Sequence, residues 1–585
     1  MKLAKWIFLI AGILGLLSTI PLTFAEKMMG VKQPEFYYGF VFLNICWQVL
    51  YLFISTAPIR FRLMMIPAFL AKASGTVVLI WLYLQGRVSG QWLAIGAVDG
   101  VFAILFLVAF LATRSESKKW EVKMVIPVIF GLLSAAPLFK AADVQGNEPL
   151  SPSAGSKEQW TGSSEQKLWG LMTIWSEAKF NFPYFDRIPD LNWDKKVQEY
   201  TPRVIDANTI EEYYDVLMEF AALLKDGHTM VMPPWMYVKP GHDHPPVELQ
   251  VMEDKFVVAR TADTEEIRKQ KVYPGLEVLE IGEHVPVRTY LKENVLRFHS
   301  CGTPQADEAI GLVGILSGIK DSQVLLKVKD PDGTVREVSL TRNSKDKDGT
   351  AFQWRWVRWY MIDPVIETKM IESDICYIRI SNFGSEKVVE EFQKVFNSLD
   401  LATIKGIMLD VRYNPGGNSA HAYSIASFLT DQPMKADKWK SFSYVPAYRS
   451  WGRPTGWIEG GPSIIEPRQG KRYSGPLVIL TGPGTHSAAE DFLVPLQYSG
   501  RAVLVGEKTA GSTGNPISVP LPGGGTFMVV SKRDMFPDGR EFVGIGISPD
   551  VPVYPTQQDL LKGTDAVLQK GIEVIRNWAS YRKEH

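Results

Sequence analysis

The pattern of apolar and polar positions divides the chain into two parts. The first part contains long apolar stretches, each close to the ~20 residues with which a helix crosses a bilayer. Five stretches have this character, at roughly 6–25, 37–57, 63–85, 91–113 and 124–139. A small, polar, Pro/Gly/Ser-rich segment follows. The pattern predicts an N-terminal α-helical transmembrane region of about five helices over 1–141 and a linker over 142–166.

Beyond the linker, the spacing of the apolar residues changes three times along the chain. Residues 167–235 include "EEYYDVLMEFAALLKD", with apolar positions three and four apart, and predict helices. Residues 245–343 alternate short β-like runs with turns, including the hairpin signal "DPDG". Residues 350–560 alternate apolar runs with helical segments, which is typical of an α/β core with buried strands. Residues 561–585 predict a closing helix.

One stretch of the predicted core is unusual. "WKSFSYVPAYRSWGRPTGW", residues 439–457, is rich in aromatic side chains and is predicted as a long loop between two core elements. Long loops in compact domains are often functional, so a lid or a wall of a substrate site is one interpretation. A packed surface loop is the other.

Composition narrows the function classes. Lys plus Arg and Asp plus Glu both number 63 in 585 residues, and no basic stripe interleaved with aromatic residues is present, so a nucleic-acid partner is not expected. Three cysteines form no disulfide framework, and no CxxC or His/Cys cluster indicates zinc. Neither a metal nor a cofactor is predicted.

Charge also predicts the orientation of the membrane region. With the N-terminus in the cytoplasm, eight lysines and arginines lie in inner segments and three in outer loops. If the fifth span crosses the membrane, this asymmetry predicts that the part after it lies outside the cytoplasm; if that segment lies along the surface, the soluble part stays inside. Two charged residues, Lys72 and Asp99, fall within the predicted spans. Because an isolated charge inside a bilayer costs about 3 kcal/mol, the two side chains are expected to meet across two antiparallel helices.

Four turns carry candidate chemistry, and each follows a predicted strand or helix. Ser487 stands between the strand-like "GPLVIL" and a helical run, where it is either a helix cap or a nucleophile beside backbone donors. The other turns are "DVRYNPGGN" with Gly416 and Gly417, "KDGHTMV" with His228, and the Gly-rich "GEKTAGSTGNP". A hydroxyl nucleophile needs a base and an oxyanion hole, and these turns contain residues suited to both roles.

Five motifs in order connect these turns to a known family. "LLKDGHTMV", "LDVRYNPGG", "VILTGPGTHSAAEDF", "GRAVLVGEKTAGSTGNP" and "PDGREFVGIGISPDVPV" resemble the C-terminal processing, or tail-specific, serine peptidases, including the catalytic part of tricorn-type proteases. The resemblance covers roughly residues 167–560. It implies a helical N-terminal part, a PDZ-like module over 245–343 and a core of crotonase-like ββα spirals. It also implies peptide-bond hydrolysis through an acyl-enzyme, without a metal.

The resemblance implies a role for several residues. Ser487 matches the nucleophile of the family, and Gly416 and Gly417 match the glycines flanking the oxyanion hole, with the N–H of Ala488 as the second donor. One branch of the family uses a lysine as base, but the matching position here is Ser512. Lys508 matches a lysine that the family carries without a catalytic role, and it remains a fallback base.

The tricorn-like branch recruits a histidine and a glutamate instead. His228 fits the histidine, and Glu541 is the available carboxylate, although its offset from the "GISPD" motif departs from an assured match. His421 is a second fallback base. His486 is disfavoured, because adjacent side chains on such a turn point apart. A catalytic histidine is expected to titrate near 6.5.

The sequence thus predicts a membrane-anchored serine endopeptidase that acts on proteins or peptides and faces away from the cytoplasm. The alternative is a non-catalytic ligand- or peptide-binding sensor protein on the same fold.

Overall fold

The structure is a computed structural model of the 585-residue chain. It describes residues 2–20, 23, 34–84, 90–113, 160–235, 239, 241–352 and 365–582. The chain forms two compact units, Met1–Ser153 and Ala154–His585. The predicted fifth span, 124–139, and most of the predicted linker lie outside the described residues.

The first unit is helical throughout its described part. Its helices are Lys2–Thr19, Pro34–Thr56, Met65–Leu84 and Gly90–Ala112, with a short 3₁₀ turn at Arg62–Met64. One described helical segment, Arg62–Trp81, is long and apolar enough to cross a membrane, and the other apolar helices are shorter. Among the described residues, therefore, only one of the five predicted spans corresponds to a helix long and apolar enough to cross a membrane. Lys72 Nζ lies 2.6 Å from Asp99 Oδ1, so the two charged residues that fall within the predicted spans form an ion pair.

The second unit begins with three helices that form one wall of the core. They span Ser164–Asn181, Trp193–Asp206 and Ile210–Ala222, and a 3₁₀ turn covers Phe185–Arg187. Ser163 and Gln166 form a capping box, which fixes where the first helix begins. The third helix ends five residues before Gly227, earlier than the "AALLKD" pattern predicts, and strand β1 follows at Met230–Met232.

A mainly antiparallel sheet occupies the region predicted as β-rich. Its strand order is β3-β4-β5-β8-β9, and β6 pairs with β5. The "DPDG" turn joins β8 to β9, as a hairpin signal predicts. The elements of this region are β2 (His242–Asp243), β3 (Val247–Met252), β4 (Lys255–Thr261), helix Glu265–Lys269, β5 (Glu277–Ile281), β6 (Val285–Pro286), helix Val287–Leu291, π-helix Lys292–Leu296, helix Pro304–Ile310, β7 (Gly318–Ile319), β8 (Gln323–Lys329) and β9 (Val335–Thr341).

The core that carries the candidate site is a six-stranded sheet of order β10-β11-β12-β17-β18-β22. The strands β10 and β11 are antiparallel, and every later neighbour is parallel. The strands are β10 (Ile366–Ile371), β11 (Ile375–Ile380), β12 (Gly406–Asp410), β17 (Leu477–Thr481), β18 (Val503–Gly506) and β22 (Val551–Pro552). All residues of β12 and β17 are buried, because helices cover both faces of the sheet.

The helices around this sheet fill the core. They are Lys387–Ser398, Ser419–Ala426, Ala488–Tyr498, Gln557–Lys562, Ala566–Arg576 and Trp578–Tyr581. Leu480 and Phe492 are fully buried in two clusters of this core. Replacing such a leucine by alanine costs about 2–5 kcal/mol of stability. Parallel strands buried in this way bring the loops at their carboxyl ends to one edge, where sites of α/β proteins lie.

The aromatic stretch 439–457 differs from its prediction as a loop. It folds as a hairpin of β14 and β15 with a short helix between them, and β14 also pairs with β21. Phe442 and Trp457 face each other across the hairpin with ring centroids 4.4 Å apart, which stabilises the pairing. The remaining elements are β13 (Met434–Lys435), β14 (Lys438–Ser443), helix Pro446–Ser450, β15 (Gly456–Gly460), β16 (Ile464–Ile465), β19 (Ile517–Pro520), β20 (Thr526–Val529) and β21 (Arg533–Met535).

Candidate active site

Ser487 lies in the turn between β17 and helix Ala488–Tyr498. Its backbone has φ 58° and ψ −130°, a left-handed conformation that non-glycine residues rarely adopt. Its side chain makes no helix-capping hydrogen bond. Instead, Oγ lies 2.9 Å from Nε2 of His228. The geometry thus separates the two interpretations of this serine: its hydroxyl faces a base and not the helix end.

His228 reaches this serine from the turn before β1. The backbone N–H of His228 donates to Oδ1 of Asp226 at 3.0 Å, and β1 pairs with β20 in the same unit. A Cβ on Gly227 would lie 2.7 Å from both the Cys301 carbonyl oxygen and the Ser512 Oγ. Only glycine fits this turn, and the close approach brings the imidazole ring against the loop that carries Ser512.

Ser512 contacts the other nitrogen of the imidazole. Its Oγ lies 2.7 Å from Nδ1 of His228. The backbone of Ser512 is held on both sides, since its carbonyl oxygen accepts from the N–H of Ser487 at 2.9 Å and its N–H donates to Oε2 of Glu490 at 2.8 Å. In the sequence, Ser512 stands out only because one branch of the family carries its base lysine at this position. Its contact with His228 joins loops 284 residues apart.

Glu490 anchors the loop that carries Ser512 behind the His228 ring. It is fully buried, and its Oε1 accepts from the Thr509 hydroxyl at 2.5 Å and from the Gly511 N–H at 2.8 Å. Burial raises the pKa of Glu490 to about 8, against the hydrogen bonds from Thr509, Ser512 and Gly511, which favour the charged form. All three of these partners donate, so the contacts suit a carboxylate.

The glycine turn after β12 packs directly against Ser487. A Cβ on Gly416 would lie 2.5 Å from the Cβ of Ser487, and Gly416 and Gly417 have φ of 95° and 137°. The N–H of Gly416 donates to Oδ1 of Asn414 at 2.9 Å. Within the described chain, the N–H groups of Gly417 and Ala488 have no hydrogen-bond acceptor. These two donors are therefore available beside the Ser487 hydroxyl.

Buried ionic contacts fix the end of β12, from which the glycine turn departs. Nη2 of Arg412 lies 2.6 Å from Asp410 Oδ2 and 2.9 Å from Asp565 Oδ2, and the Tyr377 hydroxyl donates to Asp410 Oδ2 at 2.8 Å. Asp410 is buried, yet Arg412 keeps its pKa below the usual range by charge attraction and hydrogen bonds that outweigh desolvation. The turn is thus attached to a rigid strand end.

The environment of His228 favours the neutral form of its imidazole. Burial lowers its pKa well below 6.5, and the nearby His486 and His299 lower it further. Burial of His228 and its two histidine neighbours thus shift its pKa to below the value of 6.5 expected from the sequence.

Three candidate site residues from the sequence lie away from Ser487 and His228. The carboxylate of Glu541 does not contact His228 and is bound by Arg187 at 2.8 Å and by Arg533 at 2.9 Å. Lys508 is exposed and makes no contact with Ser487 within the described chain. Nδ1 of His421 lies 2.9 Å from the Phe383 carbonyl oxygen. The structure therefore brings Ser487, His228, Gly416, Gly417 and Ala488 together, and it leaves Glu541, Lys508 and His421 apart.

His486 departs from the expectation that it points away. Its ring stacks on that of His228 with centroids 4.4 Å apart and planes 3° from parallel. The left-handed backbone of Ser487 is the physical reason, since it removes the usual alternation of side chains at this turn. No group of three or more His, Cys, Asp or Glu side chains is placed to hold a metal ion in the described ranges.

Known proteins resemble this chain in sequence. Residues 374–553 match the model of Peptidase family S41. The chain is 26% identical over 401 residues to the carboxyl-terminal-processing protease of Picosynechococcus sp., covering 66% of this chain and 83% of that protein. It is 27% identical over 186 residues to the carboxy-terminal processing protease CtpA of Bacillus subtilis, covering 32% of this chain and 36% of that protein.

A solved structure shows the same fold. Mature CPAF complexed with lactacystin aligns with a TM-score of 0.56 at 17% identity, covering 72% of this chain and 99% of that one. Residues 374–553, which include Ser487, thus match Peptidase family S41, and the chain is similar to relatives named for C-terminal processing.

Proposed function

We propose that this chain is a serine endopeptidase that cleaves proteins or peptides through an acyl-enzyme on Ser487. One observation carries the proposal, the 2.9 Å contact between Ser487 Oγ and His228 Nε2. A serine hydroxyl is a weak nucleophile, and a neutral imidazole within hydrogen-bond distance is the group that activates it. The absence of a capping bond from Ser487 supports the same role.

The first step is general-base catalysis. With the ring proton of His228 on Nδ1, donated to Ser512 Oγ at 2.7 Å, the lone pair on Nε2 faces the Ser487 hydroxyl. As Ser487 Oγ attacks the peptide carbonyl carbon, its proton moves to Nε2. The same proton then passes to the leaving amine, which releases the first product and leaves an ester on Ser487. Water repeats the sequence and restores the serine.

The oxyanion hole has two donors in this proposal. They are the N–H groups of Gly417 and Ala488, which lack acceptors within the described part of the chain. Gly416 contributes space, because its own N–H is taken by Asn414 and its missing side chain lets the turn approach Ser487. Removing one such donor costs about 3 kcal/mol of transition-state stabilisation.

Ser512 replaces a carboxylate as the group that orients the base. Its hydroxyl meets Nδ1 of His228, while its backbone is held by Glu490 and by the N–H of Ser487. The orienting role predicted for Glu541 is not part of this proposal, because its carboxylate is taken by Arg187 and Arg533.

We further propose that the first unit anchors the peptidase to a membrane. Its helices present large apolar side chains outward, with Leu17 67% and Ile104 65% exposed, as suits contact with lipid. The distribution of loop lysines and arginines favours a catalytic unit outside the cytoplasm. The sheet of 245–343, with its short helices, supports a PDZ-like module, and segments near protein C-termini are the substrates that the names of the relatives suggest.

Peptide-cleavage profiling of the full chain, wild type against Ser487→Ala, tests the proposal. We expect cleavage and labelling by a serine-directed fluorophosphonate only in the wild type. Unchanged cleavage in the variant refutes the assignment of the nucleophile. No cleavage and no labelling in either protein favours the alternative, a non-catalytic binding protein on this fold.

A further inference from the structure

A second imidazole lies flat against the base. The ring planes of His228 and His486 are 3° from parallel with centroids 4.4 Å apart. Nδ1 of His486 lies 3.4 Å from the carbonyl oxygen of Pro415, which can only accept a hydrogen bond. The proton of a neutral His486 therefore belongs on Nδ1. Burial lowers the pKa of His486 to about 4, so this ring is uncharged at neutral pH.

The charged form of His228 lacks the partner found in a Ser–His–Asp triad. In such a triad a carboxylate on Nδ1 stabilises the imidazolium that forms when the base accepts the serine proton. Here Nδ1 faces the uncharged hydroxyl of Ser512. Within the described segments of the chain, no carboxylate forms an ion pair with His228. A buried imidazolium without such support is costly.

We propose that His486 is a positioning residue that holds the ring of His228 in plane and stabilises its imidazolium form during acyl transfer. This inference rests on the proposed role of His228 as the base. The face of a neutral aromatic ring attracts a cation that lies over it, and the attraction grows when water is excluded. The parallel stack also restricts rotation of His228 about its side-chain bonds, which keeps Nε2 directed at Ser487 Oγ.

The stack depends on His486 remaining uncharged. His299 also lies near enough to lower the pKa of both His228 and His486. The buried His228 and the half-buried His486 and His299 each favour the neutral state of the others, because a proton on any one of them repels a proton on the others. A charged His486 would therefore oppose a proton on His228, and only the neutral His486 present at neutral pH offers its ring face to the His228 imidazolium.

Two substitutions separate this role from simple packing. His486→Phe keeps an aromatic face without a titrating nitrogen, and His486→Leu removes the face. We expect His486→Phe to keep kcat within about threefold of the wild type and His486→Leu to lower kcat about tenfold. KM is expected to be the same in all three proteins, because His486 acts through His228 and not on the substrate. If the thermal midpoint shows that His486→Leu does not fold, His486→Gln, which is planar but not aromatic, takes its place.

A double-mutant cycle with His228→Ala completes the test. In the His228→Ala background the removal of the ring face should have no further effect on the residual kcat, since no imidazolium forms. A tenfold loss that persists in that background overturns the inference, and so does a loss in His486→Phe equal to that in His486→Leu. A fully active His228→Ala single variant has a different meaning, because it contradicts the proposed base itself.

Discussion

The backbone N–H of Ser487 donates a hydrogen bond to the carbonyl oxygen of Ser512 at 2.9 Å. The hydroxyl of the same Ser512 lies 2.7 Å from Nδ1 of His228, whose Nε2 lies 2.9 Å from Ser487 Oγ. The nucleophile, the base and the residue behind the base therefore form a closed ring of contacts. Moving any one of the three displaces the other two.

Ser512→Ala is expected to lower kcat about tenfold with little change in KM, because the base loses the hydrogen bond that fixes its tautomer and plane. Steady-state kinetics on a fluorogenic peptide measure this. Ser512→Thr, which keeps the hydroxyl, should recover most of the loss.

Lys508→Ala is expected to lower kcat much less than His228→Ala does. The opposite ranking of the last two would assign this chain to the Ser–Lys branch.

Gly416→Ala is expected to reduce kcat/KM by about 10²-fold or more, because the turn must retreat from Ser487 and carry the oxyanion donors with it. The added Cβ would lie 2.5 Å from the Ser487 Cβ, at a φ of 95° that alanine rarely adopts. Gly482→Ala is the matched control on the neighbouring turn, where the nearest atom would lie 3.5 Å away. Equal losses in both variants would argue against a specific role for the close approach.

Glu490→Gln is expected to change how stability depends on pH. A carboxyl group whose pKa is raised from 4.5 to about 8 on folding costs stability as pH rises between those values, because the unfolded chain loses its proton first. Glutamine removes this cost. The difference in unfolding free energy between wild type and variant should therefore shift in favour of the variant from pH 5 to pH 8. Denaturant unfolding at several pH values measures it, and a difference independent of pH would show that Glu490 is ionised throughout.

The topology of the membrane region has its own test. Fusions of an enzyme that is active only after export should be silent at residue 118 and active at residue 160, if the chain between them crosses the membrane. Silence at both positions would place the peptidase in the cytoplasm.

Much of the site could be predicted because its residues stand in local motifs. A strand followed by a glycine pair, or by a serine before a helix, is visible in one window of sequence, which is why Ser487, Gly416 and Gly417 were correctly brought to one place. His228 required the resemblance to a family, since a lone histidine after a helix has no distinctive pattern. The core strands followed from their continuous apolar runs.

The parts that could not be predicted depend on contacts across long distances in sequence. Ser512 and His228 are 284 residues apart, and nothing in either segment encodes their meeting. The partners of Glu541 depend on how Arg187 packs against the core. The position of the His486 ring follows from one unusual dihedral angle at Ser487, which a sequence pattern does not reveal. The hairpin at 439–457 depends on pairing with β21, far along the chain.

The pairing of β1 with β20 has a consequence for synthesis of the chain. β1 follows His228 directly, whereas β20 comes about 300 residues later and after Ser487. During translation the base is therefore made early and has no partner strand until nearly the whole polypeptide has emerged. Ser487 itself lies 259 residues after His228, so the contact between the two side chains can form only after that length of chain has also been made.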